Sequence, residues 1–577
     1  MLQYPVCPPH AGEPDPGACR DNGRMAQQIA VVLLMVGVIV GVGKLARVSG
    51  LPEAVLLTLA GLAYANLPGP NLRLDPRFVL DVIIPPLLYN TALSSSLVAI
   101  RARLRSVVSL SVLLVLATAL AVGGALSWLV PAVPLAAAIA LGAAVAPPDP
   151  VAALAVGREA GLPAKLSTLI EGEGLLNDAT ALTILQVAVA VAVGGHFSLG
   201  SALGQFALAS IGGLVIGWLV ALVMRRLRHW FDEPLWVNAL SLATPFIAYL
   251  AAEAVHGSGV LAVVVAGLII GHQNPRMQSG ASRLQTTAVW RLVGFLLEGF
   301  VFLLIGEQLP EVVSRLDRYP VSATVTVTCA TVAVVVLLRP LWLIVTEHAP
   351  RALHTRLGGQ GALKEADAAS RDNQSPVDPD EGLSGAEIAA LSWAGTRGVI
   401  TLAAAFAIPL TVDAGAPFPG RDLLLFAAYV LVLVTLLVQG VTFAPLLKRL
   451  GLGSDVSEQA LLRNEARTAA VEAALARLDQ LVEDGTIGEP AADRIRQNFT
   501  GRLRRYKARL AFLNEESETL RSPDYQLAAQ ARREVLDAQR DELLRWRDAG
   551  RLPDTSMRIL QRELDHEERL LPMPPPR

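Results

Sequence analysis

Charge is scarce in this 577-residue chain: Asp, Glu, Lys and Arg make up 17% of it, against 53% hydrophobic residues, where a soluble domain carries about a quarter charged. The charge present sums to −2, so nothing points to nucleic acid as a partner. Cysteine is nearly absent. Cys7 and Cys19, in a Pro-rich leader, fit an extracytoplasmic disulfide or two free thiols equally, and Cys329 stands alone. No GxxxxGK[ST] loop occurs, so no nucleotide-driven step is indicated. The eight histidines are scattered, and neither HExxH nor GxSxG stands out, which leaves an enzyme without its nucleophile, base or metal cluster and implies no cofactor. Repeated filter-like loops of the kind a cation channel needs are missing as well.

Long apolar runs are what the chain has in quantity. A spanning helix needs roughly 20 mostly apolar residues, and thirteen segments have that character, centred on 28–46, 51–67, 78–98, 106–130, 133–155, 165–194, 200–224, 235–255, 258–272, 290–309, 321–346, 386–410 and 421–446. The first follows a 26-residue leader and lacks a clear small-residue cleavage site, so it reads as a helix rather than a signal peptide. Lys and Arg fall in alternate connections: Lys44 and Arg47, Arg101 to Arg105, Arg158 and Lys165, Arg225 to Arg228, Arg276 and Arg283, then Arg351, Arg356, Lys364 and Arg371, and finally Lys448 and Arg449. The intervening ones hold only Arg73, Arg77, Arg315, Arg318 and Arg421. The positive-inside rule therefore puts the N-terminus outside and the C-terminus in the cytoplasm of a multi-pass cell-membrane protein. Thirteen spans require the same parity.

Against that background the stretch IEGEGLLNDATAL, 170–182, is unexpected, because it sets Glu171, Glu173 and Asp178 in a membrane segment. A charge at mid-bilayer costs a few kcal/mol on insertion scales, so such residues usually pair, face water or mark an ion route. The preceding span reads AVAPPDPVAALAV, with Asp149 between Pro148 and Pro150. Those prolines remove amide donors and clash with helical carbonyls, so the helix is expected to break near mid-membrane. Broken backbone at that depth must be buried in protein or line a cavity, and its half-helix ends offer dipoles and carbonyls to ions. A third polar point is Arg397, in an apolar helix between Gly395 and Gly398. It needs an acid, with Glu173 the first choice and Glu171 or Glu298 next, which would leave Asp178 as the exchangeable carboxylate.

EGEGLLNDATAL, APPDPVAA, HGSGVLAVVVAGLIIG (256–271), FVFLLIGEQLP (300–310) and WAGTRGVITLA (393–403) together resemble the conserved segments of monovalent cation/proton antiporters, the NhaP and NHE-like sodium/proton exchangers, over essentially the whole membrane region and in order. The resemblance implies an all-α fold of about thirteen transmembrane helices with inverted repeats and broken helices in a core domain, beside a dimerisation domain, working as a homodimer by an elevator-like motion. It implies that Asp178 binds cation and proton in turn, that Asn177 marks the electroneutral form, and that Asp149 helps to hold the monovalent cation. It further implies a structural pair between Glu173 and Arg397, and Na+ and H+ as transported ions.

Three departures from the family pattern bear on the ion. Pro148 stands where Thr is usual, Gly174 where Ser is common, and Asn90 where many members carry an acid in the third span. Each removes an oxygen or a charge near the site, so K+ or Li+ in place of Na+ stays open. Thr180 and Glu298 complete the set of residues expected to line it. Glu307 belongs at the outer rim, His256 and His272 are interfacial, and Asp81 and Glu253 reach toward lipid headgroups.

The organisation expected is an extracytoplasmic tail over 1–26, a transmembrane antiporter domain over 27–450 containing a flexible cytoplasmic loop at 350–384, and a soluble helical domain over 455–577. The loop is rich in Gly, Ser, Asp and Pro. The last region shows apolar residues at helical spacing among mixed charges, which reads as about four amphipathic helices and a candidate second dimer contact.

Overall fold

The protein is described here by a computed structural model covering residues 16–67, 78–159, 161–194, 198–228, 230–231, 233–277, 280–356, 382–413, 415–452, 456–514, 523–548, 560–561 and 563–565. Cys7, the side chain of Cys19 and 357–381 of the expected loop lie outside them. Among the described residues there is no strand, only an isolated bridge between Thr411 and Pro417.

Among the described residues, eight helices are long and apolar enough to cross a bilayer, and four shorter apolar ones accompany them. In chain order the membrane unit runs α1 (Pro16–Ser49), α2 (Glu53–Ala65), α3 (Val79–Ser94), α4 (Leu104–Leu129), α5a (Leu135–Val145), α5b (Pro150–Glu159), α6 (Ala164–Val193), α7 (Leu199–Arg228), α8 (Pro234–Glu253), α9 (Gly259–Met277), α10 (Gly280–Ser314), α11 (Val321–Arg356), α12a (Gly385–Trp393), α12b (Val399–Phe406) and α13 (Arg421–Arg449). Each of the thirteen expected segments coincides with one helix or one broken pair. The limits differ in places: α1 starts at Pro16, inside the expected leader, and α11 continues to Arg356, so the connection expected from 350 begins later.

The surface is apolar where a water-soluble protein's would be polar. Leu33, Leu203, Ile211 and Leu337 are all more than half exposed, an arrangement that suits lipid. At the centre the logic reverses to small residues. α5a is built largely of buried Ala and Gly, and a Cβ added at Gly142 would run into the backbone of Ala119 on α4. α2 and α10 approach as closely: a Cβ at Gly61 would meet the Leu303 carbonyl, and one at Gly306 would meet that of Thr58. Without a hydrophobic drive between helices in lipid, such backbone proximity is what holds a bundle together.

Two spans are broken, where the sequence reading expected one. α5 breaks over 146–149, at Pro147 and Pro148, as anticipated from their missing donors and ring clashes. The twelfth segment, expected as a continuous helix over 386–410, breaks over 394–398 with no proline. Its unpaired backbone groups are satisfied by other elements: the Thr396 carbonyl accepts from the Asp149 amide at 2.6 Å, and the Arg397 amide donates to Thr435 Oγ1 of α13 at 3.0 Å. Six spans, α6 to α11, lie between the two broken ones, an even number, so the broken segments cross the membrane in opposite directions, the arrangement of inverted repeats.

A separate unit covers Ser454–Arg577. Within it α14 (Val456–Glu483) and α15 (Glu489–Asn514) form an antiparallel hairpin, closed at Gly485 in the left-handed region (φ 69°). Lys507 meets Glu472 at 2.9 Å, Arg496 meets Asp479 at 3.0 Å, and the Arg467 guanidinium covers the Tyr506 ring. A third helix, α16 (Pro523–Asp548), buries Leu536.

Candidate functional site

The site is assembled where the two breaks cross. Asp149 ends the first break and caps α5b, its Oδ1 accepting from the Val151 amide at 2.9 Å with Pro150 at the first helical position. Thr396 fixes Asp149 from the second break, since its carbonyl accepts from the Asp149 amide and its hydroxyl donates to the Asp149 carbonyl at 3.1 Å. Oδ2 lies against Gly398, where an added Cβ would overlap the carboxylate. Gly398 is therefore required by the approach of Asp149.

α6 supplies the next wall. Asp178 sits near the midpoint of α6, about 20 Å from either end at 1.5 Å per residue. It is buried, and no hydrogen bond or ion pair is made by its carboxylate among the described residues. Asp149 is its electrostatic neighbour. Asn177 is fully buried; its Nδ2 donates to the Pro148 carbonyl at 3.1 Å, and its Oδ1 is buried without a partner. Pro148 thus contributes a main-chain oxygen to the crossing. A Cβ on Gly174 would collide with the Pro150 ring, so Gly174 is what lets α6 lie against the break. Thr180, one turn further along α6 than Leu176, returns its hydroxyl to that residue's carbonyl at 3.4 Å.

The pair expected between Glu173 and Arg397 is not formed. Glu173 is taken bidentately by Arg339 of α11, Nη1 on Oε1 at 2.5 Å and Nη2 on Oε2 at 2.7 Å, with both side chains almost wholly buried. Arg339 Nε also donates to the Leu391 carbonyl at 3.0 Å, at the end of α12a. Arg397 binds main-chain carbonyls instead: Val145 at 3.0 Å, Ala146 at 3.1 Å, and that of Gly395. The physical reason is the second break. It takes Arg397 out of a helix and aims the guanidinium at the C-terminal end of α5a, where unpaired carbonyls and the helix dipole favour a cation. Each guanidinium thus closes the C-terminal end of one half-helix, and Arg339 alone also neutralises an acid. The sequence held a signal for Arg339: it is an arginine in an apolar span, VLLRPLW, and the reasoning applied to Arg397 applies to it equally. Thr396 and Thr435 carried none.

Asn90 and Glu298 lie on a neighbouring face. The Asn90 amide abuts α10 at Gly294, one turn before Glu298, and Glu298 is an electrostatic neighbour of both Asp149 and Glu53. At the start of α12a, Ser384 and Glu387 form a capping box, and Lys165 of α6 donates to Glu387 at 3.2 Å and to the Gly382 carbonyl at 2.9 Å. Asp81 is exposed, and its Oδ1 accepts from the Tyr249 hydroxyl at 2.8 Å.

The family model described as "Sodium/hydrogen exchanger, transmembrane" matches residues 31–449. The chain belongs to the sodium/hydrogen exchanger family. Relatives align over nearly its full length: the uncharacterised Na+/H+ exchanger Rv2287 of Mycobacterium tuberculosis H37Rv is 32% identical over 562 residues, covering 95% of this chain and 97% of that protein. The sodium, potassium, lithium and rubidium/H+ antiporter of Bacillus subtilis is 28% identical over 566 residues, covering 95% and 78%. Among solved structures, the sodium proton antiporter MjNhaP1 of Methanocaldococcus jannaschii superposes with a TM-score of 0.56 at 18% identity, over 74% of this chain and all of that one. That likeness establishes the fold. The protein is accordingly a multi-pass exchanger of an antiporter family rather than an enzyme, with no cofactor implied.

Proposed function

We propose that this exchanger carries out electroneutral antiport of a monovalent cation against a proton, with Asp178 binding each in turn. The observation that carries the reading is Asp178 itself: a buried carboxylate at the middle of α6 with no donor and no counter-charge on it. A bare carboxylate there costs several kcal/mol, so the site is comfortable only when a proton or a cation occupies it. If the loaded site crosses and the bare one does not, transport of one ion is tied to return of the other, without ATP. Asp149, the Asn177 Oδ1 and the Pro148 carbonyl offer hard oxygen ligands beside it. The crossing of α5 and α12 would move as one body against a scaffold containing α2 and α10, in a homodimer oriented with its C-terminus in the cytoplasm.

Na+ is the first candidate for the cation. K+ is the second reading, favoured by Pro148, Gly174 and Asn90, which each withhold a side-chain oxygen or charge where relatives of the family supply one. The test is a proteoliposome with a trapped pH-sensitive dye and an imposed pH gradient, to which sodium, potassium, lithium or choline is added. Dye recovery with an alkali ion, unchanged when the voltage is clamped and absent in Asp178→Asn, is the expected result. Recovery in Asp178→Asn equal to the parent's would overturn the assignment.

A further inference from the structure

Arg228, in the last turn of α7, is only 8% exposed, yet it makes no ion pair among the described residues. Its Nη1 donates to Asn274 Oδ1 of α9 at 2.8 Å, while Nε and Nη2 are buried with no acceptor. Beside it stands Tyr89 of α3, fully buried and with its hydroxyl unpartnered. The Tyr89 ring packs on Trp290 of α10, centroids 5.1 Å apart, and the Trp290 indole donates to Ser241 Oγ of α8 at 2.9 Å. Ser241 and Thr244 also adjoin the Tyr89 hydroxyl. Thr244 directs its proton to the Leu240 carbonyl at 2.6 Å, whereas Ser241, which accepts from Trp290, has its own to give. What remains is a set of donors with no acceptor: the Nε and Nη2 edge of a guanidinium and two hydroxyls, drawn from α3, α7 and α8. A buried cation without a counter-charge costs several kcal/mol, and a guanidinium, unlike a carboxylate, cannot relieve that cost by changing its protonation. Glu233, five residues on, is exposed and accepts from the Trp236 indole at 3.1 Å, and Glu253 lies at the far end of α8. Trp230 and Trp236, both more than half exposed just past Arg228, mark the bilayer interface at this level, within reach of dissolved anions.

We propose that Arg228, Tyr89 and Ser241 form a binding site for a small monovalent inorganic anion of the halide class, chloride foremost, taken up from the face that the positive-inside rule assigns to the cytoplasm. The guanidinium supplies the charge and the two hydroxyls supply directed donors, an arrangement that offers nothing to a cation. Nε, Nη2 and the Tyr89 oxygen are all shut off from bulk solvent, which suits an ion of a single atom better than a phosphate or a lipid headgroup. The bound anion ties α3, α7 and α8 together at this end. Through Tyr89 it also steadies Asn90, the next residue, whose amide abuts Gly294 one turn past Trp290. Its effect is on stability, so it stands apart from the carboxylates proposed to exchange cation and proton.

The experiment is scanning fluorimetry of the full-length protein in a neutral detergent, with sodium gluconate replaced stepwise by sodium chloride, bromide or phosphate at constant ionic strength. The parent's melting temperature is expected to climb by roughly 2–5 °C and to saturate with chloride or bromide. Arg228→Met should lose the climb and melt in gluconate no lower than the parent, because it removes the buried charge that the anion balances. An arginine that served only to bond Asn274 would instead leave this variant less stable in every salt. Tyr89→Phe, which keeps the ring on Trp290, should need roughly three- to tenfold more chloride for half the climb, the worth of one hydrogen bond. Arg225→Met, at an exposed position three residues earlier, should respond as the parent does. A melting temperature indifferent to halide, a chloride response retained in Arg228→Met, or stabilisation by phosphate or added anionic phospholipid but not by halide overturns the site. Where Arg228→Met does not elute as a single species, the Tyr89→Phe titration decides, and an unshifted chloride midpoint overturns it. No readout here involves proton movement, so failure of antiport in the dye assay leaves the anion site standing, and the reverse.

Discussion

At Asp149, Oδ1 is committed to the Val151 amide while Oδ2 faces Gly398, so helix capping and the proposed ion coordination would fall on one carboxylate. Asp149→Asn keeps an oxygen for the cap and loses the charge; it should leave thermal stability within about 1 kcal/mol of the parent and abolish cation-coupled proton movement. Asp149→Ala loses the cap as well, adding roughly 1 kcal/mol of destabilisation. Scanning fluorimetry beside the dye assay separates the two. The Glu173–Arg339 pair gives a sharper thermodynamic signal. Removing one partner, as in Arg339→Ala, strands a buried charge and is expected to destabilise the membrane unit by roughly 3–5 kcal/mol, whereas Glu173→Gln with Arg339→Leu should recover a substantial part of that loss. A double variant no more stable than Arg339→Ala would show that the pair is not what Arg339 contributes. At this scale the sequence was legible where a polar residue was rare in its surroundings: Asp149, Asn177 and Asp178 stand out from apolar runs and do meet at the crossing. The choice of Glu173's partner was not legible, because it depends on which of two arginines has an acid within reach and which has carbonyls. That is a property of the crossing.

Among the elements, the two broken helices differ in how much of them the sequence announced. APPDP forbids a continuous helix by covalent structure, so the α5 break is written locally. AGTRG does not forbid one; its break is stabilised by Asp149, Thr435 and the carbonyls gripping Arg397, none of them neighbours in the chain. Glycine lowers helix propensity by only about 1 kcal/mol, too little to mark a break unaided. The close approaches have their own consequence. Gly398→Ala forces a Cβ into the Asp149 carboxylate and Gly174→Ser forces one into the Pro150 ring, so both should lower exchange rate at least tenfold with the protein still in the membrane. Gly306→Val, far from the ions, should instead separate α2 from α10 and appear as lost monodispersity. Exchange rate per molecule of monodisperse protein distinguishes the two effects.

For the molecule as a whole, the excess of Lys and Arg in alternate connections makes orientation a direct expectation. In a cysteine-free background, Ser49→Cys should be protected from a membrane-impermeant maleimide in intact cells, and Asn66→Cys should be labelled; the reverse pattern would invert the protein. Count and placement of the thirteen spans were legible because lipid imposes a length on every apolar run. The hairpin of α14 and α15 was legible as amphipathic helices, though its pairing was not. Long-range assembly has a further consequence, in time rather than in space. Glu173 leaves the ribosome about 165 residues before the Arg339 that neutralises it. At about 5–20 residues per second, this acid waits roughly 10–35 s for its partner. During that interval α6 is a poor membrane helix, so the insertion machinery has to shelter it, and chains that stop short of Arg339 should be the ones the cell's quality-control proteases clear first.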